Sequence, residues 1–556
     1  SAALRRAARP PEPPASRPGA GAPRWAAPGG RARRGRATLE RPPASPAPSW
    51  RDRLEPPTAG LPPLVGWLAA LAVGLLAGVL RFVRLDLPAG RIFDEVYYSC
   101  DAQNLLRFGV EVATRSDPDD PAVAALCEPI ESPGFIVHPP LGKWMIALGI
   151  RLFGANELGW RVAAAAAGVV TVVVLVRLTR RMTGSTVLGC FAGLLLCFDG
   201  LHFVQSRIAM LDVFLVLWTT SAVACLVADR DAVRRRLAAA DDDALAGWGP
   251  RLGLRPWLLA GGACLGAAVA TKWSGLYFVA ALGLLAFAWE VGARRTAGVA
   301  APVRATLRRS IVPMLLALVV LPAVLYTASW AGWFASDVGW SRQHAAQNPA
   351  SGLAALVPEG LRSLWHYHGE QYRFHDSLTA THPYKSRPAS WLLLGRPVSY
   401  YYPQDLGPGD LGCEVERCSR EVLAIGTPAI WWAALIALVL LLWRWATRRD
   451  WRAGTAVLLV AVAILPWVRD DLDGRTMFLF YALPAVPFLC LSLALAAGWA
   501  IGDGTASYRR RAVGTAAAGG WLAVVVANFA WLYPVLAAQT IPFSQWQARM
   551  WFSSWI

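Results

Sequence analysis

Two adjacent carboxylates, Asp94 and Glu95, combine a reactive residue type with an unusual setting in this chain. They lie in the segment RIFDEVYYS, shortly after the first long apolar block. Apolar and aromatic neighbours can desolvate a carboxylate, which then becomes a stronger base. Such a base is needed when the nucleophile is a weak one, such as an alcohol. The alternative for an acidic pair in a loop is that both groups are simply solvated.

Basic residues recur at the edges of the apolar blocks and could complement these carboxylates. They are Arg84, Arg161, Arg207, Lys272 and Arg475. A single cation of this kind commonly extends to the membrane interface, whereas several on one face could bind a lipid phosphate. Asp212 lies inside an apolar block and needs a structural partner, which we expect to be Arg207, five residues earlier.

The seven histidines all fall in loops or at the edges of apolar blocks on one predicted side of the membrane. Zinc binding by His366, His368 and His375 is one hypothesis. The spacing of a helical zinc site, with two histidines four apart and a glutamate between them, is absent. We therefore predict hydrogen bonding or phosphate contact for these histidines, and no metal site.

The elements that position these residues are predicted to be membrane-spanning helices. The chain of 556 residues is 55% hydrophobic and 16% charged, and the two classes alternate in long apolar and short basic segments. This pattern predicts an all-α integral membrane protein. Eleven apolar blocks are long enough to span, at residues 62–85, 158–181, 185–203, 208–228, 256–272, 273–291, 310–331, 427–446, 452–468, 476–499 and 511–536.

The distribution of positive charge predicts the orientation. With the N-terminus in the cytoplasm, the inner loops hold 21 arginines, and the short outer loops hold only Arg207, Lys272, Arg469 and Arg475. An odd number of spans then places the C-terminus outside. The net charge of +17 comes from 51 arginines and three lysines, with many arginines beside the spans, so membrane topology explains it better than nucleic-acid binding does.

Three segments lie outside the spans. Residues 1–60 are rich in proline, alanine, glycine and arginine, which predicts a disordered basic cytoplasmic tail before a membrane domain at 61–556. Residues 86–157 and 332–426 are too polar to span and are predicted to be external loops. Within them, residues 94–108 and 353–374 have the spacing of amphipathic helices that lie at the membrane interface.

Cysteine placement agrees with this topology. Four cysteines fall in the external loops, namely Cys100, Cys127, Cys413 and Cys418. On the oxidising side of a membrane their simplest pairing is Cys100 with Cys127 and Cys413 with Cys418. Metal ligation is the alternative.

Seven segments occur in an order that resembles bacterial protein O-mannosyltransferases of glycosyltransferase family 39. They are FDEVYY, HPPLGKWMIALG, GWR, SRIAMLDVFL, TKWSGLYF, HDSLTATHPYKSRPASWLLLGRPVSYYY and RTMFLFYALPAVPF. The resemblance covers residues 62–556. It implies a GT-C helical bundle that transfers mannose, with inversion, from polyprenyl-phosphate mannose to Ser or Thr of secreted proteins at the external face of the cell membrane.

The resemblance also implies roles for individual residues. Asp94 corresponds to the base, with Glu95 and Arg161 in the catalytic group. Contacts with the donor or its phosphate are expected among a larger set, namely His138, Arg207, Lys272, His382, Tyr384, Arg396, Tyr401 and Arg475. The partners implied are membrane lipids, the lipid-linked donor and acceptor proteins at the export channel, without any required cofactor or nucleic acid.

The sequence departs from eukaryotic family members in its loops. Those members carry His-Phe after the acidic pair and a MIR domain in the large outer loop, whereas Val-Tyr-Tyr follows the pair here and residues 332–426 are too few for that domain. Two other classes of protein stay open. One is a GT-C enzyme that transfers arabinose or an aminosugar; the other is a transporter, which should place ionisable groups near the bilayer midplane.

Overall fold

The computed structural model describes residues 49–57, 60–115, 126–135 and 137–556. Its helices, in chain order, are α1 (Trp50–Leu54), α2 (Pro63–Phe82), α3 (Glu95–Phe108), α4 (Leu141–Phe153), α5 (Glu157–Thr183), α6 (Thr186–Cys197), α7 (Gly200–Gln205), α8 (Asp212–Ala238), α9 (Asp242–Leu245), α10 (Pro256–Thr271), α11 (Gly275–Thr296), α12 (Pro302–Ser329), α13 (Ala331–Ala335), α14 (His344–Gln347), α15 (Glu359–Asp376), α16 (Pro388–Trp391), α17 (Pro428–Arg448), α18 (Trp451–Leu472), α19 (Leu479–Ile501), α20 (Tyr508–Leu536) and α21 (Phe543–Gln547).

Nine of the helices in these ranges are long and apolar enough to cross a membrane, namely α2, α5, α8, α11, α12, α17, α18, α19 and α20. Two shorter apolar helices, α6 and α10, bring the set to the eleven blocks predicted from hydropathy. The all-α membrane fold is therefore confirmed. One predicted span, 185–203, is interrupted, because α6 ends at Cys197 and the chain continues in the short helix α7.

Local sequence signals explain where these helices begin. Proline opens α2, α10, α12 and α17, where its missing amide hydrogen is not needed. Asn156 precedes α5, and its side-chain oxygen accepts a hydrogen bond from the amide of Gly159 at 3.0 Å. A Cβ atom at Gly159 would lie 1.8 Å from the carbonyl oxygen of Gly154, so only glycine lets α5 turn this closely beside the end of α4.

The loops contain short antiparallel strands that the sequence analysis did not predict. Strands β1 (Val112–Thr114) and β2 (Pro129–Pro133) pair with each other, β3 (Val398–Tyr401) pairs with β5 (Val422–Ala424), and β4 (Cys418–Ser419) pairs with β6 (Ile541–Pro542). Each pair joins segments that are separated in sequence. Strands this short have too few residues for an alternating pattern to stand out.

The chain before α2 departs from its prediction. Residues 1–60 were expected to be disordered, yet Trp50–Leu54 form α1, and Leu54 is fully buried near Val233 and Leu237. Arg51 donates hydrogen bonds to the carbonyls of Ala238 and Ala240, each at 3.2 Å. The rest of the predicted tail, residues 1–48 and 58–59, lies outside the described residues.

Candidate active site

Asp94 lies at the turn that leads into α3. Phe93, directly before it, has a left-handed backbone with φ of 50°, which turns the chain sharply at this point. The Asp94 side chain is half-buried and lies close to Tyr98. The pKa of the Asp94 carboxyl is raised to about 6, mainly by burial; Lys272 opposes this shift and Asp212 adds to it. Asp94 is therefore ionised at neutral pH and more basic than an exposed aspartate.

Glu95 points the opposite way, into the protein. Its carboxylate forms a bidentate ion pair with Arg161, with 2.9 Å from Nε to Oε1 and 2.8 Å from Nη2 to Oε2. The amides of Ala209 and Ile92 also donate to it, at 2.8 and 3.1 Å. Both side chains of the pair are completely buried.

Arg161 uses its remaining donors on the chain between α2 and α3. It donates to three backbone carbonyls, those of Leu85, Pro88 and Gly90. The sequence analysis grouped Glu95 and Arg161 with Asp94 as catalytic residues. Within the described part of the chain, the polar contacts of the pair are internal, and these contacts hold the backbone next to Asp94. A part for Glu95 and Arg161 in the reaction itself stays a prediction.

Asp212 and Lys272 form a second ion pair, close to Asp94. Asp212 is the first residue of α8, and Lys272 directly follows α10. The Lys272 ammonium lies 2.9 and 3.0 Å from the two carboxylate oxygens of Asp212. It also lies 5.0 Å from the centre of the Tyr481 ring. The expected pairing of Asp212 with Arg207 is therefore wrong.

Arg207 instead caps the end of α2. Its guanidinium donates to the carbonyls of Arg81, Val83 and Arg84, at 2.9, 2.7 and 2.6 Å. The Arg81 carbonyl lies in the last turn of the helix and the other two follow it, and a cation at a helix C-terminus is favourable. Arg207 is 4% exposed, and these contacts give it a stabilising position. Its contact with the donor phosphate stays a prediction.

Two histidines and an arginine lie beside the Asp94 region. The rings of His138 and His375 stack with their centres 5.2 Å apart, and His375 donates from Nε2 to the carbonyl of Val137 at 2.8 Å. Burial, together with nearby Lys272 and Arg475, lowers the pKa of both histidines, that of His375 to about 4. Both rings are therefore neutral at pH 7.

Arg475 has one free buried donor on this side of the molecule. Its Nη1 pairs with Asp470 at 2.6 Å, and its Nη2 lies 3.4 Å from Nδ1 of His375. Among the described residues, nothing accepts a hydrogen bond from its Nε. A site that binds an anionic group needs a free donor of this kind.

A cluster of aromatic rings lines the site next to Lys272. Phe93 packs on Tyr400 with ring centres 4.5 Å apart, and the Tyr400 hydroxyl accepts a hydrogen bond from Gln205 at 2.7 Å. Phe478 belongs to this cluster, and its ring meets that of His382 edge-on at 4.9 Å. His382 of the predicted donor loop is thereby held at the edge of the site.

Other residues of the predicted donor loop serve as structural ties. Arg396 donates to the carbonyls of Pro383, Ser554 and Ile556, and its guanidinium lies 5.6 Å from the Tyr384 ring. These contacts fix the HPY turn to the C-terminal segment. Tyr401 is half-buried on β3.

A buried lysine and a disulfide also hold α3, at positions within the helix. Lys143 on α4 pairs with Asp101 at 2.8 Å and with Glu111 at 3.4 Å. Cys100 on α3 is joined to Cys127, and a second disulfide joins Cys413 to Cys418. The helix that carries Asp94 is thus fixed at several points along its length.

The three histidines considered for zinc binding point to different places. His366 stacks on His344, His368 contacts Tyr326, and His375 contacts His138. In the described part of the chain, no group of three or more histidine, cysteine or acidic side chains is arranged to hold a metal ion.

Sequence reasoning did not single out three tyrosines around Asp94. Tyr98, Tyr400 and Tyr481 come from α3, β3 and α19, and each acts electrostatically on Asp94 or is acted on by it. Only Tyr98 carried a usable signal, since it follows Asp94 by four residues and so lies on the same helix face.

The site combines the half-buried Asp94 carboxylate with two cations, Lys272 and Arg475, that lie near His138. A fold of the same kind occurs in the S. cerevisiae protein O-mannosyltransferase Pmt1-Pmt2 complex bound to the sugar donor, with a TM-score of 0.67, 16% sequence identity, and 89% of this chain and 93% of that chain covered. The fold is therefore that of the GT-C membrane glycosyltransferases.

Sequence comparison then defines the family. A family model described as dolichyl-phosphate-mannose-protein mannosyltransferase matches residues 132–334, and one described as the C-terminal four TMM region of protein-O-mannosyltransferase matches residues 360–555. The chain belongs to the protein O-mannosyltransferase family.

Two relatives carry the name polyprenol-phosphate-mannose–protein mannosyltransferase. The protein of Mycolicibacterium smegmatis (strain MKD8) is 40% identical over 501 residues, which cover 88% of this chain and 93% of the relative. That of Mycobacterium tuberculosis (strain ATCC 25618 / H37Rv) is 39% identical over 503 residues, which cover 88% and 92%. The similarity therefore extends over most of this chain and most of each relative.

Replacing Glu95 should destabilise the protein strongly. In Glu95→Ala, the Arg161 guanidinium is left buried without its counter-ion, which costs about 3–5 kcal/mol in known cases. Thermal unfolding in detergent should show a clear drop in midpoint. Arg387→Ala removes an exposed ion pair with Asp471 and should change the midpoint little. Equal midpoints for the two variants would contradict a supporting role for Glu95.

Proposed function

We propose that this protein transfers mannose from polyprenyl-phosphate mannose to Ser or Thr hydroxyls of exported proteins. The observation that carries this proposal is the half-buried Asp94 carboxylate, on which Lys272 acts electrostatically, together with a second cation, Arg475, that lies near His138. The names of the mycobacterial relatives supply the donor and the acceptor class. The membrane-embedded fold suits a donor whose lipid tail stays in the bilayer.

The reaction follows from the position of Asp94. Its carboxylate takes the proton of the acceptor hydroxyl while that oxygen attacks C1 of mannose. The bond from C1 to the phosphate oxygen breaks, and its electron pair leaves with polyprenyl phosphate. Attack opposite the leaving group in one displacement inverts the anomeric carbon.

The cations stabilise the leaving phosphate. The free Nε of Arg475 is the donor proposed for its oxygens, and Lys272, whose ammonium is bonded to Asp212, adds positive charge near the phosphate. Both cations lie near His138. His138 is neutral and can donate a hydrogen bond without adding charge. We assign three further residues to the edge of the donor site, namely His382, Tyr384 and Tyr401. They do not contact the leaving phosphate in this proposal.

The location of the reaction is also part of the proposal. The arginine distribution favours a cytoplasmic N-terminus, so the loops that carry Asp94 and His375 face outside the plasma membrane. There the acceptor is a polypeptide that emerges unfolded from the export channel. We retain the division into a basic N-terminal segment, residues 1–60, which includes α1, and a membrane transferase domain, residues 61–556.

The rival functions are less favoured. A transporter should carry its ionisable groups at the bilayer midplane, whereas Asp94, Lys272 and Arg475 lie at helix ends or in loops. Transfer of arabinose or an aminosugar would leave the names of the relatives unexplained. Both rivals predict no mannosyl transfer to a peptide.

Loss of the base should abolish most of the activity. We expect Asp94→Asn to lower the rate of mannosyl transfer from labelled polyprenyl-phosphate mannose to a Ser/Thr-rich peptide by ~100-fold or more, because general-base catalysis contributes this much. Asp86→Asn changes an exposed carboxylate of the same loop and should retain activity. Equal rates in the two variants would exclude Asp94 as the base.

The pH dependence should report the same group. Because Asp94 acts as a base only when ionised, kcat/KM should fall as the pH is lowered through about 6, the pKa to which burial raises this carboxyl. Transfer measured from pH 4.5 to 8 with a fixed donor concentration tests this expectation. A rate that stays constant down to pH 4.5 would show that another group takes the proton.

Transfer should not depend on a divalent metal. Lys272 and Arg475 already supply positive charge to the leaving phosphate, so chelation has no cation to remove from that role. We expect equal rates in membranes treated with EDTA and in untreated membranes. Activity lost with EDTA and restored by Mg²⁺ or Mn²⁺ would contradict this assignment.

A further inference from the structure

The ion pair between Asp212 and Lys272 stands directly beside the base, yet the proposed reaction assigns no task to Asp212. In the described part of the chain, no basic side chain forms an ion pair with Asp94 itself, although Lys272 is close enough to act on it electrostatically. Lys272 therefore acts electrostatically on both carboxylates but forms an ion pair only with Asp212.

We propose that Asp212 is a positioning residue that holds the Lys272 ammonium on its own carboxylate and so leaves Asp94 free to accept the proton of the acceptor. This inference rests on the proposed function. It gives Asp212 a role in the reaction, in place of the purely structural intramembrane role predicted from its sequence position.

The geometry of the Asp212–Lys272 ion pair supports these separate roles for Asp212 and Asp94. Lys272 Nζ lies at 2.9 and 3.0 Å from the two Asp212 oxygens, so the ammonium is shared evenly between them. The Tyr481 and Phe480 rings lie 5.0 and 5.9 Å from Nζ, and their faces favour the cation at this point. Asp212 is 2% exposed, so water screens the pair little.

The surroundings of Asp94 leave few other groups that could set its basicity. The charged and titratable groups that face it are Tyr98 from α3, Tyr400 from β3, Asp212 from α8, Lys272 after α10 and Tyr481 from α19. The three tyrosines are neutral near pH 7, because the ordinary pKa of a tyrosine is about 10. Burial raises the pKa of Tyr98 and of Tyr400 well above that value. Asp212 and Lys272 are thus the two charges that act on the base.

Removal of the Asp212 charge and removal of the Lys272 charge should therefore shift the basicity of Asp94 in opposite directions. Without the Asp212 carboxylate, Lys272 keeps its charge and Asp94 becomes its available counter-ion, which weakens Asp94 as a base. Without the Lys272 ammonium, Asp94 and Asp212 face each other as like charges, and protonation of Asp94 becomes easier. A role confined to stability would not produce shifts of opposite sign.

The test is the pH profile of kcat/KM for mannosyl transfer by the full-length protein. We expect the acid limb of Asp212→Asn to lie about one pH unit or more below that of the wild type, and the limb of Lys272→Met to lie about one unit above it. The double variant should lie between the two. Asp231→Asn breaks an ion pair with Arg181 at the other end of α8 and should leave the limb in place.

The outcomes separate this inference from the proposed function. If the wild type transfers no mannose, the proposed function fails. If the wild type is active and Asp212→Asn retains its acid limb, or if both single variants shift in the same direction, the positioning role is overturned. Should Asp212→Asn fail to fold, Lys272→Met alone decides the question, since an unmoved limb contradicts the proposal.

Discussion

The buried ion pair between Glu95 and Arg161 is the contact on which the rest of the site depends. It joins the start of α3 to α5, and through the Ala209 amide it also holds the segment that leads into α8. Arg161 binds the chain before α3 as well, so the backbone on both sides of Asp94 is held. Loss of one member of a buried ion pair is strongly unfavourable, because the other charge is left buried without a partner. The contacts around Asp94 therefore depend on both members of the pair.

That constraint lets two neighbouring carboxylates have different environments. Glu95 is saturated with donors and closed from solvent, whereas Asp94 keeps an open side and only partial compensation from Lys272. Burial without a full counter-ion is what raises the pKa of a carboxyl group. The protein thus obtains a stronger base from an ordinary aspartate by facing adjacent residues in opposite directions.

The loops on this face act as a framework around the site. Arg396 fixes the HPY turn to the C-terminal segment, and the Trp555 indole donates to the carbonyl of Leu394 at 2.7 Å. On the other side, Lys143 and a disulfide fix α3. A site made of loop residues can be precise when buried contacts of this kind limit their motion. The C-terminal residues therefore support the site from a distance.

The sequence by itself determined the eleven apolar helices, the Asp94–Glu95 pair and the family, because hydropathy and motif order are local properties of the chain. It did not determine which charges meet. Arg207 was the nearest cation to Asp212 along the chain, yet α2 takes Arg207 as its cap, and Lys272 reaches Asp212 from a helix 60 residues away. Only tertiary packing decides such partners, since ion pairing depends on distance in space and burial, and neither can be read from spacing along the sequence.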